Sequence, residues 1–360
     1  MVKLFDSLVL RGVTLPNRIG VSPMCQYSAQ DGLAGDWHLV HLGGLAQGGA
    51  GLVLTEATAV AAAGRISPQD LGLWDDRQVE PLARIARFVT GQGAVPGIQL
   101  AHAGRKAGTA PPWRGGRVLT PEQGGWRGVG PGTEPFDAGW PQPEPLDEAG
   151  IHQVVDAFRS AAGRALAAGF QVVELHAAHG YLLHQFLSPL SNRRPDRWGG
   201  SFANRTRLVQ DTVRAIRSVW PERLPLLVRL SATDWTEGGW DPEQTVELAR
   251  LLGPLGVDLV DCSSGGNVAG AAIPAAPGYQ VPFAARVRRE AKLATAAVGL
   301  ITRPSQAQEI LEQEEADLVL LGRELLRNPR WPLAAAKALG VLVPWPAPYA
   351  RAAEGTVPVR

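Results

Sequence analysis

The sequence predicts an α/β fold, a closed (β/α)8 barrel of the TIM type built as one domain over residues 1–360. Three observations predict it. Short, near-continuous apolar runs alternate with amphipathic stretches eight times, the pattern of a parallel sheet covered by helices. Eight such units in 360 residues suit a closed barrel better than an open doubly wound sheet. No G-x-G-x-x-G links a first strand to a first helix, which weakens a dinucleotide-binding open sheet.

Each element follows in order. Strands are expected at residues 18–23, 52–56, 95–100, 170–175, 226–230, 259–262, 294–298 and 318–321. Between and after them, helices are expected at 38–48, 76–90, 147–168, 202–219, 242–252, 282–290, 304–313 and 330–338. One stretch breaks the rhythm. Residues 104–145 are rich in Gly, Pro and Trp and too long for an ordinary connection. An insertion after strand three of a barrel sits on the face that carries the active site, so this stretch reads as a lid. Trp113, Trp126, Phe136 and Trp140 argue that it is packed rather than disordered. Residues 263–280, after strand six, form a second irregular stretch over the same face.

Composition excludes several classes of function. A net charge of +1 and the lack of a Lys/Arg-rich block give no nucleic-acid footprint, so small molecules are the expected partners. Cys25 and Cys262 are too few for a disulfide framework or an iron–sulfur cluster. Lys3, Asp6 and Arg11 near the start leave no apolar run for a signal peptide or membrane span, and the expectation is a cytoplasmic protein.

In a barrel, the site is assembled from the C-terminal ends of the strands. Strand one ends in Ser22-Pro23-Met24-Cys25-Gln26-Tyr27, strand two in Glu56-Ala57-Thr58, and strand three in Gln99-Leu100-Ala101-His102-Ala103-Gly104-Arg105-Lys106. Strand four delivers His176, His179 and Tyr181, strand five Arg229, strand seven Gly299, and strand eight Gly322-Arg323. Gly299 and Gly322 stand where such barrels bind phosphate through backbone N–H groups, with Arg323 adding charge. Two imidazoles can donate to one oxygen while a nearby phenol delivers a proton, which together describe a site that polarises a carbonyl and protonates a neighbouring carbon. A zinc site would need a third ligand, and no metal is expected. Structural histidines satisfied by backbone remain an alternative. So does a non-redox phosphate-binding isomerase or aldolase, for which Lys106 is the candidate Schiff-base lysine. A pure binding module is disfavoured by the clustered His, Tyr, Arg and Cys.

These tracts carry a family resemblance. SPMCQY at 22–27, QLAHAGRK at 99–106, HAAHGYLL at 176–183, SNRR at 191–194 and GREL at 322–325 resemble the FMN-dependent ene-reductases of the old yellow enzyme family. Within it, Cys25 and Tyr27 are similar to those of the bacterial xenobiotic reductase and thermophilic-like subgroup. The resemblance runs through nearly the whole chain.

The resemblance implies FMN across the barrel mouth and NADPH or NADH as reductant. Its phosphate would be held by Gly299, Gly322 and Arg323, and its ribityl and pyrimidine edges by Pro23, Met24, Ala57, Gln99 and Arg229. Arg229 would stabilise the charge gained near N1 on reduction. Cys25 would hydrogen-bond to the ring and adjust its potential, without acting as a nucleophile. His176 and His179 would hold the carbonyl or nitro oxygen of an activated alkene, Tyr181 would protonate its α-carbon, and Tyr27 would line the pocket. Ping-pong kinetics follow. In this subgroup the segment resembling residues 345–351 enters the neighbouring subunit's site, which implies a homodimer or homotetramer with Arg351 as an arginine finger. The nine residues after Arg351 depart from the family's ending. Cys262 matches no motif and reads as packing.

Overall fold

A strand covered on both faces needs no polar alternation, and the eight apolar runs form such strands. The computed structural model describes residues 3–353 and 357–359. Its central sheet is a closed, all-parallel barrel of β1 (Ile19–Val21), β2 (Leu52–Ala59), β3 (Val95–Ala101), β4 (Val172–Ala177), β5 (Leu226–Ser231), β6 (Leu259–Ser263), β7 (Ala294–Ala297) and β8 (Leu318–Leu321). Pairing of Val319 with Ile19 closes the ring. Around it lie α1 (Asp36–Gln47), α2 (Val79–Gly91), α3 (Glu148–Ala167), α4 (Phe202–Arg217), α5 (Pro242–Leu252), α6 (Val281–Ala291), α7 (Pro304–Glu312) and α8 (Trp331–Ala338). The expected fold and the order of its elements hold.

Local chemistry sets the helix starts. Asp147, Ser201 and Asp241 each accept a backbone N–H three residues on, and Pro242 and Pro304 take first helical positions where no N–H is needed. The outward faces of the strands pack on the buried faces of the helices, with Trp198, Trp220, Trp240, Phe158 and Phe186 the bulkiest side chains fully enclosed.

Strand ends shift by one to three residues from expectation in all but β8, and three of the shifts matter. β4 runs to Ala177 rather than 175, so His176 is a strand residue; β5 runs on to Ser231, and β6 to Ser263. His176, Ser231 and Ser263, being polar, hide these last rungs from a search for apolar runs. An N-terminal hairpin (Leu8–Leu10 with Val13–Leu15) and short helices at Leu182–Leu187 and Arg323–Arg327 were not anticipated either. They are too short to show a period.

The insertion after β3 lacks long elements. It is built from three 3-10 turns and a two-residue pairing of Val129–Gly130 with Glu144–Pro145. Trp113 stays 67% exposed, against the expectation that its cost in water would bury it. Its ring meets Tyr27 edge-on at 5.5 Å, which fixes its place over the mouth. Among the described residues no helix is long and apolar enough to cross a membrane.

Candidate active site

Strand register places the polar side chains before any loop does. His176 on β4 lies beside Arg229 on β5, which lies beside Asp261 on β6. Gln99 on β3 pairs with Glu174 on β4, and its side-chain amide donates to the Glu174 carboxyl at 2.7 Å. Arg229 Nε is 2.9 Å from Asp261 Oδ2, with both side chains buried. Burial pushes the Glu174 and Asp261 carboxyls up; the Asp261 charge adds to the rise at Glu174, and Arg229 opposes it at both.

Above this layer the loop after β4 turns sharply. His179 has φ +58° and Gly180 φ +71°. A Cβ on Gly180 would lie 2.2 Å from the Gly266 carbonyl oxygen, so glycine permits the loops after β4 and β6 to touch. The backbone N–H of His179 donates to Ser231 Oγ at 2.9 Å, and Ser231 donates in turn to the Gly265 carbonyl. The Lys106 ammonium ties the two loops, donating to the carbonyls of His179 at 3.0 Å and Gly266 at 2.9 Å. Burial and the Arg105 charge pull that ammonium down to about 8. Arg105 reaches from the start of the lid to the Asn267 carbonyl and side chain and to the carbonyls of Glu134 and Pro135.

His176 Nε2 and His179 Nδ1 stand 3.3 Å apart. The Ala178 N–H donates to His176 Nδ1, and His179 Nε2 is 2.7 Å from Ser263 Oγ. Burial, then the charge of Arg229, holds both imidazoles far below their usual range, so both are neutral at neutral pH. Tyr181 meets the His176 ring edge-on at 5.1 Å. Burial, with smaller contributions from Cys25, Tyr27 and Asp70, keeps its phenol protonated well above its usual value. Burial first, then Asp70 and Glu56, raises the Cys25 thiol, which is therefore not a thiolate.

Gly322 opens the short helix after β8, and a Cβ there would come within 3.7 Å of Met24 Sδ, which joins the ends of β8 and β1. Gly299, with φ +123°, packs on Gln280 and Tyr279 so closely that a Cβ would lie 2.9 Å from Gln280 Nε2. Ala57, Gln99 and Arg229 lie on β2, β3 and β5, and Pro23 follows β1. Two residues stand apart. Arg323 is exposed, and Arg351 is exposed on the 3-10 turn Ala347–Ala352; among the described residues neither side chain is hydrogen-bonded to this site. Four of the nine positions after Arg351, residues 354–356 and 360, lie outside the described residues.

The Lys106 ammonium, the candidate for a Schiff base, is engaged by two carbonyls and lies 4.3 Å from the Phe136 ring centroid. Cys262 is buried against its own strand, with its thiol pushed up by burial. Among the described residues no three His, Cys, Asp or Glu side chains are grouped to hold a metal ion. Sequence reading missed Ser231, Ser263, Gln280 and Asp261. Asp261 and Glu174 did carry a signal, a carboxylate inside an otherwise apolar strand; the serines carried none.

The geometry can be set beside known proteins. Residues 3–340 match the NADH:flavin oxidoreductase / NADH oxidase family. The chain is similar to an NADPH dehydrogenase of Listeria monocytogenes serotype 4a, 49% identical over 354 residues and covering 98% of this chain and 99% of that one. An NADPH dehydrogenase of a Geobacillus strain is 47% identical over 350 residues, covering 97% and 98%. Among solved structures, morphinone reductase superposes with a TM-score of 0.78 at 28% identity, covering 96% of this chain and 92% of that one. The old yellow enzyme homologue of Zymomonas mobilis superposes with a TM-score of 0.77 at 25% identity, covering 93% of each.

Proposed function

Because the chain belongs to the NADH:flavin oxidoreductase / NADH oxidase family, as an old yellow enzyme type of FMN-dependent NAD(P)H oxidoreductase, we propose that it reduces the activated C=C bond of α,β-unsaturated carbonyl or nitro compounds. The non-redox isomerase or aldolase is set aside by that membership. What supports the finer reading is one observation: two neutral imidazoles present ring nitrogens 3.3 Å apart, beside a phenol that keeps its proton.

The donor set fits FMN. Gln99 on β3 and Arg229 on β5 are buried polar groups, and an amide with a guanidinium would suit the polar edge of a flavin ring. Gly322 and Arg323 begin a helix whose first N–H groups are free of helix bonds, and Gly299 presents its backbone with no side chain between. We place Pro23, Met24, Cys25, Ala57, Gln99, Arg229, Gly299, Gly322 and Arg323 on the cofactor. When bound, FMN accepts hydride from NADPH or NADH and supplies it from N5 to the β-carbon of the alkene.

The chain's own residues do the rest. His176 and His179 hold the substrate oxygen and stabilise the charge that grows on it as the β-carbon is reduced. Tyr181 donates its hydroxyl proton to the α-carbon; a phenol held this weakly acidic serves only because a carbanion-like carbon is far more basic than water. Tyr27 and Trp113 wall the pocket on the lid side. Arg229 would supply positive charge to the cofactor and so favour its reduced, anionic form. Arg351 would complete the site of a neighbouring subunit in a homodimer or homotetramer, and a cytoplasmic location suits a chain with two free thiols.

Anaerobic stopped-flow tests this reading. The purified yellow protein should be bleached by NADPH or NADH and recover its colour with cyclohexenone or a nitroalkene, in ping-pong fashion. Bleaching without recovery by any of these alkenes would leave the oxidoreductase and remove the ene-reductase.

A further inference from the structure

We propose that His184 and Asp234 are positioning residues: the pair holds the peptide between His179 and Gly180, and so sets the turn that carries both His179 and Tyr181. The proposal rests on the oxygen-holding and proton-donating roles given to those two side chains above.

The turn needs holding. His179 sits at φ +58°, a left-handed conformation that a residue with a side chain keeps only when its surroundings impose it. The peptide that follows it is gripped at both edges. Its carbonyl accepts the Lys106 ammonium at 3.0 Å, and its N–H, that of Gly180, donates to His184 Nδ1 at 2.9 Å. Lys106 comes from the start of the lid, whereas His184 stands on the short helix Leu182–Leu187 into which the turn leads. Gly180 is the one residue between His179 and Tyr181, so a tilt of this peptide moves both side chains.

The tautomer of His184 follows from its two contacts. Nδ1 accepts the Gly180 N–H, so the ring proton is on Nε2. Nε2 lies 3.1 Å from Asp234 Oδ1, and both side chains are fully buried. Asp234, in the loop after β5, is fixed in turn. Its Oδ2 accepts the Ser188 hydroxyl at 2.5 Å, the Trp240 N–H at 2.9 Å and the Asn267 amide at 3.5 Å, while Oδ1 faces His184. Burial would raise its carboxyl, but the contacts with His184, Ser188 and Trp240 outweigh burial and hold it down at about 2, so both oxygens are acceptors. One arrangement of protons satisfies every one of these contacts. The loop after β5 thereby orients a ring that orients the loop after β4.

Neither residue is given a contact with substrate, so the signature is the proton on His184, together with rescue by a side chain that keeps the acceptor. The test uses the FMN-loaded protein, labelled with 15N-histidine for NMR, with 4-nitrophenol titration and anaerobic reoxidation of the reduced enzyme by cyclohexenone as the functional readings. In wild type the His184 proton should be found on Nε2. Asp234→Asn must keep its carbonyl toward the donors at Oδ2 and turn its NH2 to His184 Nε2, which moves the ring proton to Nδ1, against the Gly180 N–H. Phenol affinity and reoxidation rate should then each fall about tenfold, the scale of the one hydrogen bond that favours the working turn. His184→Leu should lose as much. His184→Asn, whose Oδ1 takes the place of Nδ1, should recover most of both.

A wild-type proton on Nδ1 overturns the proposal, and this spectrum decides even where the variants fail to fold. His184→Asn as impaired as His184→Leu overturns it too. Wild-type affinity and rate in Asp234→Asn and His184→Leu, with reoxidation slowed in Tyr181→Phe and phenol affinity lost in His176→Ala, overturn the positioning role alone. If Tyr181→Phe and His176→Ala are also unaltered, the oxygen-holding and proton-donating roles go, and the proposal with them.

Discussion

Arg229 Nε lies 2.9 Å from Asp261 Oδ2 inside the barrel, so the guanidinium assigned to the cofactor is already neutralised from behind by a buried carboxylate. The charge it presents at the mouth is thus tempered by its partner on β6. Glu174 adds a second carboxyl to the same layer, and its proton limits the negative charge held there.

The pair gives the first prediction. Arg229→Ala leaves Asp261 buried without its counter-charge and should cost roughly 3–5 kcal/mol of stability. The double variant with Asp261→Ala should recover part of that loss. Chemical denaturation of the two variants compares them, and equal losses would mean that the ion pair is not the cause.

A second prediction concerns the proton. Tyr181→Phe should slow reoxidation of pre-reduced enzyme by an enone by about 10²–10⁴, the usual worth of a positioned acid. Reduction by NADPH should be little changed. An unaltered oxidative half-reaction would take the acid role away from Tyr181.

The imidazole pair predicts a coupled loss. His176→Ala should weaken phenol binding and slow the oxidative half-reaction together, since one ring nitrogen serves both. Titration of flavin absorbance with a phenol, beside single-turnover reoxidation, measures the two.

Stability should also depend on pH through the Glu174–Asp261 layer. Glu174 is raised to about 8, chiefly by burial and then by Asp261. A carboxyl raised on folding holds a proton that the unfolded chain releases, so stability is fully present below the ordinary carboxylate range and declines as pH rises toward about 8. Burial raises Asp261 in the same direction. Glu174→Gln, which mimics the neutral acid and keeps an acceptor for Gln99, should flatten the slope between pH 5 and 8 in urea midpoints. A slope as steep as wild type would place its origin elsewhere.

Arg351 predicts an assembly effect. Arg351→Ala should raise KM for a carbonyl substrate while leaving the isolated chain's fold intact, because the side chain is exposed on its own subunit. Sedimentation equilibrium gives the companion measurement. A monomer with full activity would end the arginine-finger role.

Much of this was legible along the chain. Leu318–Leu321 and Pro242–Leu252 appear where periodicity and a proline start put them. The HAAHGY tract and the strand-end glycines pointed to the mouth because residue type and position coincide there. The lid was legible as an insertion, and Trp126 and Trp140 are half-buried in it, while Trp113 was misjudged: it meets Tyr27 edge-on and stays exposed.

The sequence by itself determined the order of the barrel and the residue types at the strand ends from which the proposed site is built. Those follow from local hydrophobic pattern and side-chain chemistry. Only the tertiary structure decided which groups meet. Ser263 reaches His179 across 84 positions of chain, and Gln99 reaches Glu174 across 75. Closure of the barrel sets such contacts through strand register, and register is a property of neighbouring strands that neither strand's own sequence displays.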